Sequence, residues 1–343
     1  MKRLRIAAAC GLMGAALAAG GCMSVDPIRY ETVGRIDGAT PALAALIAPD
    51  APIEKLAEGF RWSEGPVWIR DGAYLLLSDV PGNKMYRWSE EDGLSVFLDP
   101  SGYDGQDPAA FREPGSNGLI PGPGNTILMA DHGNRAVARL DLATKTKTFL
   151  ATRFEGKRFN SPNDLVRASN GAIYFTDPPY GLEGLNESPL KEQAWNGVYR
   201  LDPDGRVALV ERGLSFPNGV ILSPDERTLY VSNSDPARAV VMAFPRREDG
   251  SLGEGRVFAD MTDLAQSGMP GLPDGMAIDR NGNLFATGPG GVHVFTPEGQ
   301  RLGRIDTGTA IANCAFGEDG RTLFLASNNY LARIRMRTIG LGY

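Results

Sequence analysis

One pattern recurs six times along the chain: an oxygen-bearing side chain, a short apolar run, and a tight turn about seven residues later. The leading residues are Glu64, Asn117, Asn163, Asn218, Asp274 and Asn313. Turns follow at Asp71-Gly72, Gly124-Asn125, Asn170-Gly171, Asp225-Glu226, Asn281-Gly282 and Asp319-Gly320, dipeptides that reverse a chain between strands. A second apolar run leaves each turn directly, as in Tyr74-Leu75-Leu76-Leu77, Thr126-Ile127-Leu128-Met129 and Thr322-Leu323-Phe324-Leu325. Third strands follow most of these, for example Gly197 to Leu201 and Gly291 to Phe295. Units of this length with three or four strands, repeated six times, predict an all-β, six-bladed β-propeller. The segment Ile53-Glu54-Lys55-Leu56 can supply the outer strand of the last blade and close the ring.

In a propeller the first strand of each blade lines the central channel, so the six leading residues converge at one mouth. The loops between second and third strands open on the same face, and they carry Asp131-His132 and Thr176-Asp177. Two insertions interrupt the rhythm, Ser101 to Ser116 and Pro178 to Asn196, and the topology places both over that mouth as walls or lids.

Two carboxylates and several amide oxygens in one ring suit a hard divalent cation, Ca²⁺ before Mg²⁺. His132, His293 and Cys314 make a poor set for zinc or copper. A cation at a pocket mouth polarises a carbonyl and acidifies bound water, which suits hydrolysis of an activated ester. A nucleophilic serine is disfavoured, because no Gly-x-Ser-x-Gly elbow is present and histidine is scarce.

The 343 residues include a leader. Lys2, Arg3 and Arg5 precede an apolar stretch, Ile6 to Ala19, and then Ala19-Gly20-Gly21-Cys22. This predicts an export signal over 1–21 of lipoprotein type, with Cys22 as the lipid-bearing residue of a periplasmic or membrane-anchored protein. Residues 22–52 read as a tether and lead-in with a short helix at Pro41 to Ile47, and 53–343 as the propeller. Without the three leader cations, 32 basic residues face 41 acidic ones, which argues against a nucleic-acid partner. Cys314 is alone in the body of the chain and cannot form an intramolecular bridge there. No charge run or apolar stripe marks a protein partner.

Several motifs carry a resemblance: Ser63-Glu64-Gly65-Pro66-Val67-Trp68, Arg158-Phe159-Asn160-Ser161-Pro162-Asn163-Asp164-Leu165, Tyr174-Phe175-Thr176-Asp177-Pro178-Pro179-Tyr180-Gly181, Phe216-Pro217-Asn218-Gly219, Leu272-Pro273-Asp274-Gly275-Met276 and Asn313-Cys314-Ala315-Phe316-Gly317. From about Ile53 to the C-terminus the chain resembles the family of senescence marker protein, gluconolactonase and luciferin-regenerating enzyme. It resembles most the exported bacterial gluconolactonases, which share the stretch Phe111-Arg112-Glu113-Pro114-Gly115-Ser116-Asn117-Gly118. The resemblance implies hydrolysis of a sugar lactone with one divalent cation. Ca²⁺ comes first, with Mg²⁺, Mn²⁺ or Zn²⁺ as alternatives.

It also implies metal ligands at Glu64, Asn163, Asn218 and Asp274, with Asp274 as acid/base and Asp177 and His132 as rivals for that proton. Asn117, His132, Asp177, Tyr180 and Asn313 are the candidate substrate contacts. Animal members place a substrate-binding arginine two residues before the asparagine at 163, where this chain has Ser161. An arylesterase or phosphotriesterase of similar architecture, a non-catalytic sugar- or protein-binding propeller and a quinone-dependent sugar dehydrogenase are the rival readings.

Overall fold

The structure, a computed structural model, describes residues 29–343 except Ala39. The predicted leader over 1–21 and Cys22 therefore lie outside the described residues. Almost every element is a strand. Six antiparallel sheets follow one another as blades 1 to 6, spanning 63–98, 116–151, 165–211, 217–260, 276–306 and 313–335. In each, the strand that opens the blade lies at one edge of the sheet and the later strands follow outward in chain order.

The ring closes as the sequence predicts. Ile53–Glu58 pairs antiparallel with Tyr330–Arg335, the third strand of blade 6, so the two ends of the propeller are joined by backbone hydrogen bonds.

Part of the stretch read as tether is folded onto the propeller. Glu31–Thr32 pairs with Ile53–Glu58, and Arg35–Asp37 pairs with Arg301–Asp306, giving blades 5 and 6 a fifth strand each. The predicted helix forms at Pro41–Leu46, where Thr40 caps the first turn by accepting the Leu43 amide at 3.1 Å and Pro41 stands where no amide proton is needed. Leu43 and Leu46 bury against blades 5 and 6. Docking covers apolar surface and two sheet edges, and both offset the cost of ordering the segment.

The interior is divided among the blade boundaries. Six apolar clusters lie one at each interface, for example Phe159, Phe175 and Tyr199 between blades 2 and 3. Between blades 6 and 1, Trp68 stacks on Phe324 with centroids 5.6 Å apart and Trp88 meets the same ring edge-on. These two tryptophans are packing residues. Each blade is thus held by its neighbours, and the channel they surround is left to polar chemistry.

Candidate active site

At one end of the channel the six leading residues meet. The local backbone brings them there. In the opening strands of blades 1, 2 and 4 the register slips between Glu64 and Val67, Ser116 and Leu119, and Pro217 and Val220. A bulge of this kind re-aims a side chain, and here it sits on Glu64, Asn117 and Asn218.

The residue after the leading one is a glycine in four of the six blades, for a steric reason. At Gly65, with φ of +50°, a Cβ would lie 2.1 Å from the Asn117 carbonyl oxygen of the next blade. At Gly219 it would lie 2.2 Å from the Asp274 carbonyl oxygen. The glycines let adjacent blades approach closely enough for the ring to form.

The amide members are wired in series. Asn117 Nδ2 donates to Asn163 Oδ1 at 2.9 Å, Asn163 Nδ2 donates to Asn218 Oδ1 at 2.5 Å, and Asn218 Nδ2 donates to Ser234 Oγ at 2.9 Å. Ser234 in turn donates to the Pro273 carbonyl, beside Asp274. Across the ring, Asn313 Nδ2 donates to Glu64 Oε2 at 3.2 Å, and the Gly65 amide donates to the same oxygen at 3.1 Å. His132 is fully buried, with Nε2 3.0 Å from Asn163 Oδ1 and 3.2 Å from Asn117 Nδ2.

Glu64 and Asp274 both hold their protons well above the ordinary carboxylate range. Burial is the main cause, and the charges of neighbouring carboxylates, Asp164 among them, add to it. No lysine or arginine offsets either group, and Asp274 Oδ1 has no hydrogen-bond partner. Buried carboxylates without a counter-charge are costly. Among the described residues no three His, Cys, Asp or Glu side chains gather as a metal cluster, so a cation here would rest on two carboxylates and amide oxygens. That donor set suits a hard ion.

Tyr180 comes from the second insertion, with its ring stacked on Phe216 at 5.7 Å and its buried hydroxyl unpaired. Burial, then the Asp274 charge, raises its pKa, so at neutral pH it stays an O–H donor. Asp177 also holds the backbone through one oxygen, while its Oδ1 is unpaired. It is fully buried, and its Oδ2 accepts the Asn160 amide at 2.8 Å, the task Asp79 performs for Arg61 and Trp62 and Asn233 for Phe216. Each clamps the chain as it enters a ring strand. Burial raises the Asp177 carboxyl to about 7.

Three further residues escape a reading by phase alone. Asp164 stands where four of the other five blades have glycine and accepts the Leu165 and Val220 amides at 2.9 and 3.2 Å; burial raises it to about 7. The broken residue-glycine step at 163–164 was its signal in the sequence. Ser161 donates to the Pro178 carbonyl at 2.6 Å and accepts the Gly181 amide at 2.9 Å, so it pins the second insertion to the mouth. Glu113, from the first insertion, places Oε2 3.5 Å from His132 Nδ1.

The insertions are fastened to each other. Phe111 and Leu182 form an antiparallel bridge, and the Glu183 amide donates to the Ala110 carbonyl at 3.3 Å. Together they make a roof over blades 2 and 3.

Comparison with known proteins agrees with this architecture. A gluconolactonase of Zymomonas mobilis is 47% identical over 90% of this chain and 88% of its own length. The pentonolactonase XacC of Haloferax volcanii is 27% identical over 75% of this chain and 78% of its own. A solved gluconolactonase structure from Xanthomonas campestris superposes with a TM-score of 0.77 at 34% identity, covering 90% of this chain and 98% of that one. The pattern of the SMP-30/Gluconolactonase/LRE-like region matches residues 62–329, from the mouth of blade 1 through the second strand of blade 6, and the chain belongs to that family.

Proposed function

We propose that this chain is a lactonase that opens a sugar lactone, glucono-1,5-lactone or a close relative, to the aldonic acid. It would work with one divalent cation, Ca²⁺ foremost, held by Glu64, Asn163, Asn218 and Asp274. The observation that carries this reading is a pair of buried, mutually repelling carboxylates, Glu64 and Asp274, in a ring of asparagines, with no lysine or arginine among the main influences on either. Relatives named gluconolactonase and pentonolactonase supply the substrate class.

When bound, the cation supplies polarisation of the ester carbonyl and acidification of water. The chain supplies the rest. Water adds its oxygen to the carbonyl carbon, and the ring C–O bond breaks. Asp274 Oδ1, free of protein partners, takes the water proton and returns it to the departing ring oxygen, which becomes a hydroxyl of the product. Tyr180 donates a hydrogen bond into the same space, and the roof limits access of bulk water.

Proton release in weak buffer tests the reading, using glucono-1,5-lactone with EDTA and then with Ca²⁺, Mg²⁺, Mn²⁺ or Zn²⁺ restored. Turnover above spontaneous hydrolysis, lost with EDTA and regained with a cation, is expected. Folded protein that stays inactive with every cation would sink the proposal.

The leader supports a second, separate reading. We propose export through residues 1–21 and acylation at Cys22, which labelling with a clickable fatty acid checks. Wild type should take up label and Cys22→Ser should not.

A further inference from the structure

The roof carries a carboxylate that the reaction described above leaves idle. The Glu113 side chain is about 14% exposed, and the nearest nitrogens to its carboxylate are Arg112 Nη2 at 3.4 Å and His132 Nδ1 at 3.5 Å. Both distances exceed those of a charge-assisted hydrogen bond. The lone pairs of a mostly buried carboxylate therefore remain available to a ligand. Its backbone is fixed: the Glu113 amide donates to the Gly181 carbonyl at 3.4 Å, and Phe111 bridges Leu182.

Polar groups of the same mouth are unpaired as well, His132 beside it among them. His132 Nδ1, Asn117 Oδ1 and the Tyr180 hydroxyl are buried and lack hydrogen-bond partners. The set mixes acceptors, in the carboxylate and the amide oxygen, with a hydroxyl donor and an imidazole. A ligand that both donates and accepts at several adjacent positions would satisfy it. Vicinal hydroxyls do this; an unsubstituted ring does not. Leaving such buried polar groups unpaired is what allows a site to reject an analogue lacking the hydroxyl.

We infer that Glu113 is a specificity-determining residue that accepts hydrogen bonds from hydroxyls of the substrate ring, so that the enzyme selects polyhydroxylated lactones over unsubstituted ones. The inference rests on the lactonase reading and deepens it. Glu113 contributes to hydroxyl recognition and takes no part in moving the reaction's proton.

Two measurements test it in the full chain. The first compares kcat/KM of wild type, Glu113→Gln and Glu113→Ala on glucono-1,5-lactone and on δ-valerolactone. Losing hydrogen bonds to a charged acceptor should lower the first by about 10- to 100-fold, and the second should change by less than about three-fold. The second measures binding of 1,5-anhydroglucitol, a non-hydrolysable ring with the same pattern of hydroxyls, by calorimetry. Wild type should bind it and Glu113→Ala should bind it at least about ten-fold more weakly.

An equal fall on both lactones, no fall on either, or 1,5-anhydroglucitol binding that Glu113→Ala leaves unchanged or that wild type lacks would overturn the inference. Wild type inactive on both lactones would sink the lactonase reading instead, and the calorimetry would then decide the role of Glu113 alone. Thermal unfolding of the variants should match wild type, because the roof is held through its backbone.

Discussion

The two ends of the central channel differ in a way that volume does not reveal. The end away from the ring is a channel of about 790 Å³ that runs up to Gly65, Asp164 and Asn313 and is bounded by apolar residues such as Ile120, Val166 and Ile221 and by the C-terminal Leu341 to Tyr343. Its wall is satisfied: the Tyr343 hydroxyl donates to the Phe316 carbonyl at 2.8 Å, and Arg70 stacks on the Tyr343 ring at 3.9 Å. The ring end is roofed by two loops and holds the unpaired atoms of Asn117, His132, Tyr180 and Asp274. A large space with satisfied walls is scaffold. One lined by unpaired polar atoms is prepared for a ligand, because folding has left desolvated groups uncompensated.

The largest effect should come from the ring. Asp274→Asn keeps the side-chain shape and removes the charge and the proton acceptor, so turnover should fall by about 10³-fold, ~4 kcal/mol of barrier. Circular dichroism should show an intact fold. Near-wild-type rates in this variant would return the site assignment to the opposite end of the channel.

A smaller effect sharpens the contrast electrostatically. In metal-stripped protein Asp164 is raised from 3.8 to about 7, with Glu64 and Asp274 shifted the same way, burial being the first cause in each. The folded chain then binds more protons than the unfolded one between these values. Stability from these groups is fully present below the unfolded pKa and is lost as pH rises through the folded one. The melting temperature in EDTA should therefore fall as pH rises from about 4 to 7, and Ca²⁺ should oppose the fall. A melting temperature in EDTA that does not fall across this range would mean that these carboxylates are not uncompensated in the metal-free fold.

The smallest effect belongs to the apolar end. Ile221→Phe fills part of the wide channel and should leave kcat/KM within about two-fold, under ~0.5 kcal/mol. A marked loss would make that channel part of the working site.

Much of this was legible before the fold was known. The phase of Glu64, Asn117, Asn163, Asn218, Asp274 and Asn313 located the ring, because blade repetition turns equal spacing in sequence into convergence in space. The closing segment Ile53-Glu54-Lys55-Leu56 was legible from its position ahead of blade 1 and the need of the last blade for an outer strand. Glu31–Thr32 and Arg35–Asp37 were not. They are two and three residues long and carry no periodicity, and they become strands only because blades 6 and 5 offer them open edges.

Asp177 and Glu113 show the same limit at the site. In sequence Asp177 sits beside a pocket motif, whereas in the structure it clamps Asn160. Glu113 lies in an insertion with no repeat to set its phase, and it reaches His132 only because the two insertions are bridged at Phe111 and Leu182.

The sequence by itself determined the blade count, the closure and the ring of oxygen donors, since each is written in spacing and side-chain type. Only the tertiary structure decided which polar groups stay unpaired. A hydrogen bond is spent or left open by whatever neighbour arrives from another blade, and the local chain does not encode that neighbour. Ser161, spent on Pro178 and Gly181, and Asp274 Oδ1, left open, differ for this reason alone.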